Sequence, residues 1–176
     1  MNFELNSSEV LVVKGPNGVG KTTFLRLILG LHTPMSGGMS VNTDQISYLP
    51  QLQNLSFHLP VTLGDLVGIA PGTTREKIAT LGLLDSEQLD LPWNTASGGE
   101  RKRTLITRAL LSDPKLVILD EPFNHLDRET KSAVTQTLID YLRSTGGSVV
   151  MVSHEHDEKN FSDAGIALHH LNLGGG

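Results

Sequence analysis

Cysteine is absent from the 176 residues, which excludes disulfides, thiolate metal sites and cysteine nucleophiles, and fits a cytosolic protein. Long apolar runs are absent too. No stretch approaches the ~20 residues that a membrane span needs, so any membrane role comes through a partner, without direct insertion. The start, Met1-Asn2-Phe3-Glu4-Leu5, lacks both a cationic region and an apolar run, so no signal peptide is visible. Positive charge is in short supply. Fourteen Lys and Arg stand against nineteen Asp and Glu, a formal net charge of −5, whereas a nucleic-acid surface calls for a basic stripe. The one dense basic run, Arg101-Lys102-Arg103, is too short to alter this and reads as a solvated helix face or phosphate-side support. What remains is 38% hydrophobic and 19% charged, the make-up of one packed domain over residues 1–176 that buries roughly 70% of its unfolded surface.

Apolar segments of two kinds alternate along the chain. Residues 10–13 form a β-branched run that stops at Gly15, a buried strand before a Gly-rich turn. Residues 22–29 suit a helix capped by Gly30. Short strands are expected at 39–41 and 46–49. From 51 to 94 the character shifts, with Pro60, Pro71 and Pro92 punctuating short helices at 63–69 and 75–81. We read a small helical subdomain, about residues 52–112, inserted into the domain. A helix at 98–111, a buried strand at 116–119, an amphipathic helix at 129–143, a buried strand at 148–152 and a weaker one at 165–168 complete the pattern. Strands alternating with helices predict an α/β fold, a mainly parallel sheet flanked by helices.

Gly15-Pro16-Asn17-Gly18-Val19-Gly20-Lys21-Thr22 fits the phosphate-loop pattern G-x-x-x-x-G-K-[ST]. Glycines let backbone N–H groups curl around phosphates, and the following helix presents its positive end. Lys21 would neutralise β- and γ-phosphate charge and Thr22 would ligate Mg²⁺, with Thr23 beside them in the nucleotide-binding set. Leu116-Val117-Ile118-Leu119-Asp120-Glu121 is an apolar run ending in two acids. Because adjacent side chains on a strand point to opposite sides, the two acids are expected to divide the work. Asp120 would hold the Mg²⁺ shell and Glu121 would polarise the attacking water.

With these motifs in order, the sequence resembles the ABC ATPase family, and the resemblance implies a P-loop NTPase fold that binds and hydrolyses ATP with Mg²⁺. Ser97-Gly98-Gly99-Glu100, after Thr95-Ala96, is similar to the family signature L-S-G-G-Q, with Ala96 and Glu100 as departures. In the family this signature engages the γ-phosphate on the other subunit, which implies a head-to-tail homodimer or heterodimer. Gln51, after Tyr48-Leu49-Pro50, matches the Q-loop that links Mg²⁺ and water to the helical subdomain. Asp127, in Phe123-Asn124-His125-Leu126-Asp127, takes the D-loop position and would communicate across the dimer. His154 matches the switch histidine at the γ-phosphate. The family usually opens with a further strand and an adenine-stacking aromatic. Lys21 is too close to Met1 for that segment, and Phe3 aligns with the strand before the phosphate loop.

The brief stretch between Lys21 and Gln51 resembles bacterial zinc and manganese importer ATPases, as do Ser153-His154-Glu155 and His169-His170-Leu171-Asn172. The resemblance thus implies a transporter subunit, peripheral on the inner face of the cell membrane and partnered by a transmembrane permease. Leu55, Phe57, Leu59 and Val61, alternating just past Gln51, would line the groove for that permease. Glu121-Pro122-Phe123-Asn124-His125-Leu126-Asp127 is also similar to a string in soluble ABC proteins acting on ribosomes, which keeps that reading open beside a truncated nucleotide-binding module. A metal site built on His154, His156, His169 and His170 lacks supporting carboxylate spacing, and Trp93 reads as packing.

Overall fold

A computed structural model describes residues 4–51, 57–69, 72–153 and 158–174. Its centre is a five-stranded, wholly parallel sheet of β1 (Val10–Lys14), β2 (Ile46–Leu49), β3 (Leu116–Asp120), β4 (Ser148–Val152) and β5 (Leu168–Asn172), in the order β2-β3-β4-β1-β5. The three inner strands are near-continuous apolar runs because helices cover both of their faces. Alternation along each strand sorts the side chains. Val10, Val12, Val117, Leu119, Val149 and Met151 join one core cluster. Leu11, Val13, Ile118, Val150 and Val152 join the other.

Against the second cluster lies α1 (Lys21–Ile28), through Leu25 and Ile28. The first is covered by α4 (Gly98–Leu110), α5 (Arg128–Thr145) and α6 (Lys159–Asp163), through Ile106, Leu110, Leu138, Leu142 and Phe161. Two short helices, α2 (Leu63–Gly68) and α3 (Arg75–Leu81), and a 3-10 turn at Gln88–Asp90 stand between β2 and α4. Val67, Ile78, Leu84, Leu89 and Leu111 give them a small core of their own. Leu63, Leu66 and Trp93 anchor them to the main core.

Two expected strands are corrected. Residues 39–41 form no strand; Val41 packs on the second cluster without a neighbouring backbone ladder. The last strand falls at Leu168–Asn172, not 165–168. Gly165, with φ 74°, turns the chain out of α6 and donates to Ser162 O at 2.9 Å, so extended pairing starts only afterwards. No helix among the described residues is long and apolar enough to cross a membrane.

Candidate functional site

In an open parallel sheet, ligands bind beyond the carboxyl ends of the strands, and the chemistry-bearing residues gather there. The loop leaving β1 needs glycine for two different reasons. At Gly15, φ is 147°, and an added Cβ would sit 2.6 Å from the Leu173 carbonyl oxygen and 2.9 Å from Val19 Cγ1. At Gly18, φ is 78° with open space where a side chain would go, room for an anion against bare backbone. Gly20 is the N-cap of α1 and supplies no side-chain cap, nor does the first turn hold an acid. The helix end is left for an external negative charge. Lys21, only 7% exposed, folds over this loop and donates from Nζ to the carbonyls of Gly15 at 2.8 Å and Pro16 at 3.1 Å. Its ammonium is thereby held against the start of the loop formed by Gly15, Pro16, Asn17, Gly18, Val19 and Gly20.

Next to Lys21, the Thr22 hydroxyl donates to Asp120 Oδ2 at 3.2 Å. The pair joins the start of α1 to the tip of β3 and offers two hard oxygens. An all-oxygen donor set beside a phosphate cradle suits Mg²⁺. Burial pushes the Asp120 carboxyl up; the Glu121 carboxylate adds to that push, while Thr22, Lys21 and Lys102 oppose it. Tyr48, on β2, is pushed up by burial and secondarily by Asp120.

The two acids are adjacent but only Asp120 belongs to the strand, which corrects the expectation of simple strand alternation. β3 ends at Asp120, and Glu121 adopts φ 54°, a left-handed conformation that costs a non-glycine residue of order 1–3 kcal/mol. Several contacts hold it there. Its amide donates to Val152 O at 3.1 Å. Its Oε2 accepts from Gln51 Nε2 and from Asn124 Nδ2, each at 2.6 Å. Its carbonyl accepts from Lys102 Nζ at 3.1 Å. Gln51 therefore reaches Glu121 through its amide nitrogen, a contact its Q-loop position did not specify. Asn124 and Lys102 are additions. Asn124 was hidden inside the D-loop string, and Lys102 inside a basic run.

Of the two readings of that run, a solvated face does not describe Arg101 or Lys102. Arg101 clamps Trp93, donating from Nε to its carbonyl at 2.8 Å while the guanidinium lies 5.4 Å from the ring centroid. Lys102 is pushed down by burial, against the pull of Glu121 and Asp120. Trp93 is packing as expected, 2% exposed and edge-on to Phe57 at 6.0 Å.

The remaining candidates are not joined to this cluster by the contacts described. Ser97 caps α4, accepting from Glu100 N at 3.2 Å, while Glu100 Oε2 accepts from Ser97 N at 2.7 Å. Gly98 and Gly99 begin the helix with no neighbour where a Cβ would sit. Asp127 caps α5 through Thr130 N at 2.8 Å. His154, His156, Leu55 and Phe3 lie outside the described residues. His169 pairs with Glu9 at 3.0 Å and His170 with Glu158 at 3.3 Å, and no group of three metal-binding side chains gathers among the described residues.

The sequence profile of the ABC transporter family matches residues 1–124. The chain belongs to that family. As an ABC protein it is an ATPase that binds ATP with Mg²⁺. Among solved structures, an inward-facing transporter described as of the metal-chelate ABC type is 30% identical over 98% of this chain and 71% of that one, with TM-score 0.79. A dimeric ATP-binding cassette in a post-hydrolysis state with ADP and Pi shares the fold at 24% identity, over 99% of this chain and 87% of that one, with TM-score 0.74. ABCE1 from a ribosome-bound complex with archaeal Pelota is 28% identical over 85% of this chain but only 26% of that one, with TM-score 0.71.

Proposed function

We propose that this ABC ATPase powers a membrane transporter, with a metal-ion importer as the transported class, and that it works as a head-to-tail pair seated on a permease at the inner face of the cell membrane. The observation that carries the hydrolytic reading is the convergence of Thr22–Asp120 at 3.2 Å with Gln51–Glu121 at 2.6 Å. Lys21 and the loop amides of 15–20 bind the β- and γ-phosphates, with Thr23 at the third position of α1. Thr22, Asp120 and Gln51 would hold Mg²⁺, which would supply positive charge against the phosphates. Glu121 orients a water and takes up its proton as the water oxygen bonds to the γ-phosphorus. The bond from that phosphorus to the bridging oxygen breaks, and ADP and phosphate result. His154 contacts the γ-phosphate. Ser97, Gly98, Gly99 and Glu100 meet the nucleotide of the partner subunit, and Asp127 relays across the pair.

Likeness to the metal-chelate type transporter over almost the whole chain supports the transport reading. So does Leu59, a large apolar side chain left 74% exposed beside Val61 and Phe57, which pack on the core. Leu59→Glu is expected to leave ATP binding unchanged and to abolish co-purification with a co-expressed permease; retained co-purification would move the groove elsewhere. Likeness to the ribosome-bound ABCE1 supports a second reading, and co-sedimentation with ribosomes in place of a permease would favour it.

A further inference from the structure

Lys102 and Arg101 are neighbours on α4, but they face different parts of the molecule. Arg101 turns to the helical segment, donating to the carbonyls of Trp93 and Asn94 at 2.8 and 2.9 Å. Lys102 turns to the carboxyl end of the sheet and donates to the Glu121 carbonyl at 3.1 Å. That carbonyl belongs to the residue whose φ is 54°, so its direction is coupled to the turn by which the chain leaves β3. The amide of Glu121 is already fixed by β4 through Val152. With the amide fixed at one end, a contact on the carbonyl at the other defines the peptide planes on both sides of its Cα, and with them the path of Cβ. Gln51 and Asn124 then act on a carboxylate whose root is held. Lys102 is the fifth residue of α4, the helix that Ser97 caps and that opens with Gly98-Gly99-Glu100. The one charged donor among these described contacts therefore comes from the helix that carries the signature.

We propose that Lys102 is a positioning residue for ATP hydrolysis, its ammonium holding the Glu121 carbonyl so that the left-handed turn aims the Glu121 carboxylate, and tying that aim to helix α4. The inference rests on Glu121 being the water-polarising group. Misplacing such a group by about 1 Å costs on the order of 100-fold in rate. Lys102→Met in the full chain should therefore lower kcat roughly 10- to 100-fold, with the ATP Kd and KM within about twofold of wild type. Lys102→Arg, which keeps a charged donor, should recover most of the loss. In a Glu121→Gln background, Lys102→Met should cost nothing further, because there is no carboxylate left to aim. Lys102→Gln, a polar replacement, carries the same test if the Met variant fails to fold. Wild-type kcat in the Met or Gln variant would overturn the proposal, as would a loss that adds fully to that of Glu121→Gln, or an ATP Kd that rises as kcat falls. Wild-type turnover by Glu121→Gln alone would instead remove the premise, and the two failures are told apart by that single variant.

Discussion

Gly15 and Gly18 both stand in the phosphate loop at positive φ, yet an alanine at each should behave differently. Gly18→Ala meets nothing within 4 Å, so its cost is conformational, about 1–3 kcal/mol for a non-glycine residue in a sparsely populated region. Gly15→Ala carries that cost and a steric one. Its Cβ would lie 2.6 Å from the Leu173 carbonyl oxygen and 2.9 Å from Val19 Cγ1, where ordinary carbon contacts sit at about 3.5–4.0 Å. Leu173 cannot simply retreat, because its amide donates to Lys14 O at 2.8 Å and closes the ladder between β1 and β5. Overpacking of this kind adds about 1–3 kcal/mol. Gly15→Ala should thus lose roughly 2–6 kcal/mol against about 1–3 for Gly18→Ala, a large share of the ~5–15 kcal/mol that holds a domain folded. Urea unfolding of the two variants side by side measures the difference, and a fluorescent ATP analogue reports whether the loop still binds. If Gly15→Ala unfolds at the same urea concentration as Gly18→Ala, the steric account of this loop is wrong.

Lys21→Ala should weaken ATP binding about 10- to 150-fold, because a charge-assisted contact is worth roughly 1.5–3 kcal/mol; a Kd within twofold of wild type by titration would refute it. Ser97→Arg should leave ATP binding in place and block hydrolysis by keeping the composite site open, while loss of the cap to Glu100 N costs about 1 kcal/mol in thermal stability; normal phosphate release would exclude the head-to-tail pair. Tyr141 donates to Pro114 O at 2.6 Å, and burial pushes its hydroxyl up to about 12. The neutral form is favoured in the fold, so its contribution is complete below pH ~10 and fades as the pH climbs through 12. Tyr141→Phe should lose about 1–3 kcal/mol at neutral pH and show a shallower alkaline fall in the unfolding midpoint than wild type.

The phosphate loop was legible because its conformation demands glycine and its chemistry demands Lys-Thr, so spacing alone carries the physics. The inner strands were legible because a parallel sheet buried on both faces requires continuous apolar runs, as in Val10–Lys14 and Ser148–Val152. Edge strands carry a weaker mark. His169 and His170 sit in β5 with side chains partly exposed, which hides the strand, while Val41 looked like one without a partner to pair with. Roles decided by tertiary contact were not legible at all. Nothing local sends Arg101 to Trp93 and Lys102 to Glu121, since a helix brings successive side chains to different faces and only the packed neighbours say which face is wet. The left-handed turn at Glu121 is similar. Strand alternation is the expectation from sequence, and the contacts to Val152, Gln51, Asn124 and Lys102 override it.

Single-turnover hydrolysis by Glu121→Gln tests the account of this site most directly. The amide keeps the size of the side chain but cannot take a proton from water, and general-base assistance is worth about 10²–10⁴-fold. With Lys21, Thr22 and Asp120 unchanged, the variant should bind ATP with Mg²⁺ as tightly as wild type, lose phosphate release by that factor, and accumulate as a nucleotide-bound dimer on size exclusion. Phosphate release within a few-fold of wild type, with ATP binding intact, would contradict the assignment of Glu121 and the mechanism built on it.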